Sequence, residues 1–133
     1  MRFLIVDDDK RILLLLEKFL STYADCVVAD NGKDAVKAFR VALEEGRPFA
    51  AVFMDIMMPD ASGHEVVQLL RAIEKEVGVE EVGIFKLVMI SAISDVKNVT
   101  FSFFKGQADA FVAKPFSKKD LIDNLKQAGV IEE

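Results

Sequence analysis

The sequence predicts an α/β fold, a five-stranded parallel sheet with helices on both faces, and three observations carry that prediction. Short, almost wholly apolar runs alternate five times with longer segments in which apolar residues recur at helical spacing. Runs apolar at nearly every position suit strands buried on both faces, as parallel sheets require. Four of the runs end in residues with chemistry: FLIV leads into Asp7, Asp8 and Asp9, AAVFM into Asp55, FKLVMI into Ser91, and AFVA into Lys114. Parallel strands joined by right-handed crossovers bring those ends to one edge of the sheet, where open α/β folds place their sites.

The elements follow in order. Arg2 to Val6 is the first strand, apolar after its first residue. A helix runs from about Lys10 to Ser21, capped by Asp9, with Ile12, Leu15, Leu16, Phe19 and Leu20 as its inward stripe. The second strand is Asp25 to Ala29. Asp30-Asn31-Gly32 is a turn signal, after which Ala35, Val36, Phe39, Ala42 and Leu43 recur at helical spacing until Glu45-Gly46 ends the helix. The third strand is Phe49 to Met54, entered through Pro48. A loop from Ile56 to Gly63 precedes a helix from about His64 to Val77, with Val66, Val67, Leu70 and Ile73 inward. Gly78 to Gly83 lengthens the return to the fourth strand, Phe85 to Ile90. The fourth helix is placed at Asp95 to Gln107, the fifth strand at Ala110 to Ala113, and the last helix at Lys118 to Ala128 behind a Ser117-x-x-Asp120 capping box.

A chain of 133 residues with 52% hydrophobic content reads as one domain, residues 1–133, with enough apolar side chains to cover a sheet on both faces. Net charge −5 and pI near 5.0 argue against a direct DNA or other nucleic-acid surface, which needs clustered Lys and Arg. The lysines at 118–119 and at 33 and 37 read as solvated helix faces. Cys26 is the one cysteine, so no internal disulfide forms; a small buried thiol on a strand is ordinary. One basic residue before FLIV and three aspartates after it do not make a signal peptide, and no apolar run, ILLLL included, is long enough to span a bilayer. The expectation is a cytoplasmic protein with no membrane contact.

Three carboxylates at one strand-end cluster are the informative part of the chemistry. At about 4 Å each pair repels by roughly 4 kcal/mol at an effective dielectric near 20, so the cluster needs a cation or raised pKa values. Oxygen-only donors suit a hard ion, Mg2+ or Mn2+.

Five signatures carry a resemblance: IVDDD, the FMDIMMPDASG loop, MISA, FVAKPF, and the alternating segments between them. In that order and spacing the chain resembles the receiver domain of two-component response regulators over nearly its whole length, and is similar to stand-alone, chemotaxis-regulator-like members because it stops soon after the last helix. The resemblance implies a flavodoxin-like strand order 2-1-3-4-5 and a phosphorylation-dependent signalling switch rather than a turnover enzyme. It makes Asp55 the nucleophile that takes a phosphoryl group from phosphohistidine as an acyl phosphate. Asp8 becomes a direct Mg2+ ligand, Asp7 a ligand through water, and Asp55 and the backbone carbonyl of Met57 complete the metal set. Ser91 and the Ala92 amide are assigned to the phosphoryl oxygens, and Lys114 to Asp55 at rest and to the phosphoryl group afterwards. The Lys114–Pro115 bond is expected to be cis.

The resemblance also places Phe111 at the rotamer-switch position of strand five, with a plain core aromatic as the competing reading. The implied partners are a sensor histidine kinase or histidine phosphotransfer protein and an output protein met by the fourth helix, fifth strand and last helix. At 100° per residue, Val96, Val99 and Phe103 share the inward face of the fourth helix; Phe101 falls opposite and Phe104 at the margin. Phe101, Phe104 and Phe111 would then form an apolar face for phosphorylation-dependent self-association. His64, the single histidine, reads as a solvent-exposed helix residue rather than a phosphodonor. Two other functions fit less well. A haloacid-dehalogenase-type phosphatase needs a second Asp two residues past the nucleophile, where Met57 stands. An FMN binder needs hydroxyls after strand one, where three aspartates stand.

Overall fold

The computed structural model describes residues 1–56, 58, 63–78, 83–92 and 107–132. Among these, five strands, β1 (Arg2–Val6), β2 (Asp25–Ala29), β3 (Ala51–Asp55), β4 (Lys86–Ala92) and β5 (Ala110–Lys114), form one parallel sheet in the order β2-β1-β3-β4-β5. Four helices accompany them: α1 (Lys10–Leu20), α2 (Gly32–Glu44), α3 (Gly63–Val77) and α4 (Lys118–Gln127). This is the flavodoxin-like order that the sequence implies, with its switch point between β1 and β3. The helix placed over 95–107 lies outside the described residues except at Gln107, and so do Phe101, Phe104, Met57 and residues 79–82 of the lengthened connection.

The two-residue period of the strands divides the core in two. Leu4, Val6, Val52, Met54, Leu87 and Met89 point to one face and pack with residues of α2 and α3. Phe3, Ile5, Ala51, Phe53, Val88 and Ile90 point to the other and pack with α1 and α4. Burial on this scale is the main stabilising term, worth about 1.5–3 kcal/mol for each large apolar side chain. The central strands β1, β3 and β4 are therefore apolar at nearly every position. The edge strands are not: β2 and β5 each bury a single residue fully, Ala29 and Val112.

Helix starts follow the expected chemistry. The side chains of Asp9, Asn31 and Ser117 accept the backbone N–H of Arg11, Asp34 and Asp120 at the heads of α1, α2 and α4. Asn31 had read only as part of a turn. In α1 the inward stripe is rotated from its expected phase: Leu13, Leu16 and Leu20 are buried, Ile12 and Phe19 pack partly, Leu15 is half-buried, and Leu14 is 67% exposed. A run of five consecutive apolar residues, 12–16, leaves periodicity without a polar face from which to read the phase.

Strand ends also moved. β3 starts at Ala51 rather than Phe49, whose ring instead closes the core, 6.4 Å from that of Phe39 and 5.0 Å from the Arg2 guanidinium. β4 and β5 run on through Ala92 and Lys114, so the residues expected just past the strands stand in their last positions.

Candidate functional site at the strand ends

Register sets the site. Val6 pairs with Met54, Asp55 with Ile90, Ser91 with Ala113 and Ala92 with Lys114, so the C-terminal ends of β1, β3, β4 and β5 stand side by side. Asp7 continues β1 by donating its N–H to Ala29 O at 3.2 Å. One carboxylate oxygen from each of Asp7, Asp8 and Asp55 lies within 4.8 Å of the others. Asp7 and Asp55 are buried at 1% and 5% exposure, while Asp8 faces solvent. The sequence groups these three, and the structure brings them together.

Lys114 reaches across the sheet to the same cluster. Its Nζ lies 2.8 Å from Asp7 Oδ2 and 3.5 Å from Asp55 Oδ2. The nearer carboxylate is thus Asp7, a pairing the sequence did not suggest. No hydrogen bond of good geometry from the described residues reaches the buried Asp7 Oδ2, so the contact with Lys114 is an ion pair; Asp7 Oδ1 accepts the Asp9 N–H at 2.9 Å. Burial alone would depress the Lys114 pKa, but the contact with Asp7 and the charges of Asp55 and Asp7 outweigh it and raise the ammonium above its ordinary value. The Lys114–Pro115 bond is cis. Ser91 is fully buried, and its hydroxyl donates to Ala92 O at 3.4 Å. Phe111 is half-buried and packs on the α2–α3 side of the core.

Among the described residues, one lysine against three carboxylates leaves a net negative cluster of oxygen donors. A hard divalent cation fits that donor set, and the buried Asp7 Oδ2, held by an ion pair with Lys114 rather than by a hydrogen bond, keeps lone pairs for it. His64 stands apart from this chemistry, half-buried at the head of α3 with its ring 3.3 Å from the Gln68 amide.

A second charged group was missed. Glu74 is 4% exposed on α3; its carboxylate takes Arg71 Nη1 at 2.9 Å and the Phe85 N–H at 2.9 Å, while Arg71 also donates to Phe85 O at 3.0 Å and stacks 3.7 Å above the Phe85 ring. This clamp ties α3 to the entry of β4. Only the i,i+3 spacing of Arg71 and Glu74 hinted at it, and that spacing usually marks a solvated pair.

Comparison with known proteins agrees with this geometry. Residues 3–126 match the family described as response regulator receiver domain. The chain is 29% identical over 134 residues to hybrid signal transduction histidine kinase L of Dictyostelium discoideum, covering 96% of this chain and 7% of that protein. It is 29% identical over 124 residues to the transcriptional regulatory protein SrrA of Staphylococcus aureus, covering 92% and 45%. It therefore spans less than half the length of either relative. Among solved structures, a BeF3-activated DrrB receiver domain superposes with a TM-score of 0.68 at 27% identity, covering 96% and 95% of the two chains. No helix among the described residues is long and apolar enough to cross a membrane. With the acidic strand ends meeting where this fold binds its ligands, and a match running almost from end to end, the chain belongs to the receiver domain family of two-component response regulators, whose work is phosphoaspartate signalling.

Proposed function

We propose that residues 1–133 form a single receiver domain that accepts a phosphoryl group from phosphohistidine on Asp55 and changes its affinity for a partner as a result. The observation that carries this reading is the placement of a buried Asp55 carboxylate beside both acidic partners and a lysine. In the step, an Asp55 oxygen attacks phosphorus, the P–N bond to the imidazole breaks, and the histidine leaves with the bonding pair and takes up a proton. Charge on the transferring oxygens is met by the Lys114 ammonium, the Ser91 hydroxyl and the Ala92 amide. Asp7, Asp8, Asp55 and the Met57 carbonyl would hold Mg2+, or Mn2+ in its place. The metal supplies charge neutralisation and orientation for an in-line transfer.

A switch of this kind is an acceptor rather than a turnover enzyme, works in the cytoplasm, and takes its phosphoryl group from a sensor kinase or phosphotransfer protein. Its output face is the 95–107 segment with β5 and α4, bordered by Phe111, where Phe101 and Phe104 would support self-association. The match covers 45% of the relative that is a transcriptional regulator, so DNA contact is not assigned to these residues.

The test is labelling by phosphoramidate in Mg2+. The parent should gain one hydroxylamine-labile phosphoryl group by intact mass, and Asp55→Asn none; a phosphoryl group retained in the variant refutes Asp55 as acceptor.

A further inference from the structure

We infer that Gly63 is a positioning residue for Asp55: the absence of a side chain at the head of α3 sets where the phosphoacceptor stands. The inference rests on the proposed role of Asp55 and adds what holds that residue in place. A methyl group built on Gly63 would lie 2.7 Å from Ile56 Cα, 2.9 Å from Met54 Cγ, and closer still to the carbonyl oxygen of Asp55. These separations are short of ordinary contact by up to about 1 Å. Met54 Cγ belongs to a flexible side chain and can yield. The other two atoms are backbone, and one of them belongs to Asp55.

Either α3 or the end of β3 must therefore move if position 63 gains a side chain. The helix is held firmly. Its Val66, Val67, Leu70 and Ile73 are buried in the core, and its far end is tied to β4 by the Glu74–Arg71–Phe85 clamp. Its near end is tied to the end of β3, because the Gly63 N–H donates to Ile56 O at 3.0 Å. The strand end is held less fully: Asp55 is the last position of β3 and pairs with Ile90 of β4, while the pairing with β1 stops one residue earlier, at Val6 and Met54. The displacement falls on the acceptor, which then loses its placement against Lys114 and the other two carboxylates.

Gly78, at the opposite end of the same helix, supplies the control. Its φ is +80°, and a methyl group there meets no described atom within 4 Å. Gly78→Ala strains the backbone without touching the site. Phosphoramidate labelling should be followed for the parent, Gly63→Ala and Gly78→Ala, with each rate divided by the folded fraction measured by circular dichroism. Gly63→Ala is expected to label roughly 10- to 100-fold more slowly per folded molecule, the scale of loss that follows a misplacement near 1 Å. Gly78→Ala should label at the parent rate although it melts lower. Should Gly63→Ala not fold in buffer, the measurement is repeated in trimethylamine N-oxide, which favours the compact state.

Parent-like labelling of folded Gly63→Ala overturns the inference. So does an equal slowing in Gly78→Ala, because labelling would then follow stability alone. Failure of Gly63→Ala to fold even with the osmolyte overturns it in favour of a purely structural glycine. An unlabelled parent would instead refute Asp55 as acceptor, a result that Gly63 does not influence.

Discussion

Replacing Asp55 by Asn removes the proposed acceptor and, with it, one charge from a buried cluster, so its effect on stability can be worked out before any phosphorylation is measured. Asp55 feels Asp7 at up to 4.8 Å and Lys114 at 3.5 Å. At an effective dielectric near 20 the first costs about 3.5 kcal/mol and the second gains about 5 kcal/mol. Asp8 faces solvent, so its repulsion adds no more than about 1 kcal/mol. The pair terms thus cancel to within about 1 kcal/mol. Against this stands the cost of holding an ionised carboxylate at 5% exposure, several kcal/mol even after relaxation and offset in part by its other local contacts, which the neutral amide avoids. In EDTA, Asp55→Asn should therefore be more stable than the parent by about 1–2 kcal/mol, a rise of roughly 5 °C in Tm for a domain of this size. Excess Mg2+ should reverse the order. The parent gains about 2.7 kcal/mol at one hundred times its Kd, and the variant, lacking a ligand, gains less. Thermal unfolding by circular dichroism in both buffers is the assay. A variant less stable than the parent by more than about 1 kcal/mol in EDTA would show that Asp55 supports the fold more than it strains it, and the electrostatic account would fail.

Three further outcomes are expected. Asp8→Ala should keep the parent's Tm in EDTA to within about 0.5 kcal/mol, as an exposed substitution does, and should lose most of the Mg2+-induced rise; an undiminished rise would move the metal away from this cluster. Glu74→Ala strands the buried Phe85 N–H and deprives Arg71 of its carboxylate, so urea unfolding should show a loss of about 3 kcal/mol while phosphoramidate labelling per folded molecule stays at the parent rate; a loss under about 1 kcal/mol would show that the clamp is idle. Lys114 has its folded-state pKa raised above the ordinary 10.5, so its contribution is fully present below 10.5 and is lost as pH rises through the higher folded value. Stability of the parent relative to Lys114→Gln should therefore be flat from pH 7 to 10 and shrink above about 10.5, and a gap that widens with pH would reverse the sign of the coupling.

The fold was legible because each strand of the sheet centre is buried on both faces and so is written as an uninterrupted apolar run, and because Pro, Gly and capping residues mark the breaks between runs. The grouping of the candidate site was legible for a related reason. Asp7, Asp55, Ser91 and Lys114 are polar residues at the ends of such runs, where chain order alone assigns them to one sheet edge. What the sequence hid was phase and pairing. Leu13 lies in a block with no polar face, so the inward side of α1 could not be read from spacing. The preference of Lys114 for Asp7 over Asp55 depends on the reach of one side chain across three strands, which no linear pattern encodes. Glu74 looked like half of a surface pair and is instead buried, because its partner, the entry of β4, is eleven residues away in sequence and adjacent only in space. Gly63 read as loop punctuation, and its close approach to Asp55 emerges only once α3 is docked.

The pairing of Lys114 gives the proposed switch a direction. At rest the ammonium is 2.8 Å from Asp7 and 3.5 Å from Asp55, a bias of 0.7 Å away from the proposed acceptor. Two changes expected on activation act on that bias with the same sign. Neutralising Asp7 and Asp8 with a cation weakens the attraction that holds the ammonium there. A phosphoryl group on Asp55 adds negative oxygens on the other side. Coulomb energy at these distances changes by several kcal/mol for each unit charge, more than the about 1 kcal/mol that an exposed ion pair commonly carries, so the ammonium follows the charge. Lys114 is the last residue of β5, the edge strand that also carries Phe111 and pairs only with β4 among the described residues. A strand held on one side yields more easily than one held on two. Charge placed on Asp55 is thereby read first at the strand that borders the proposed output face.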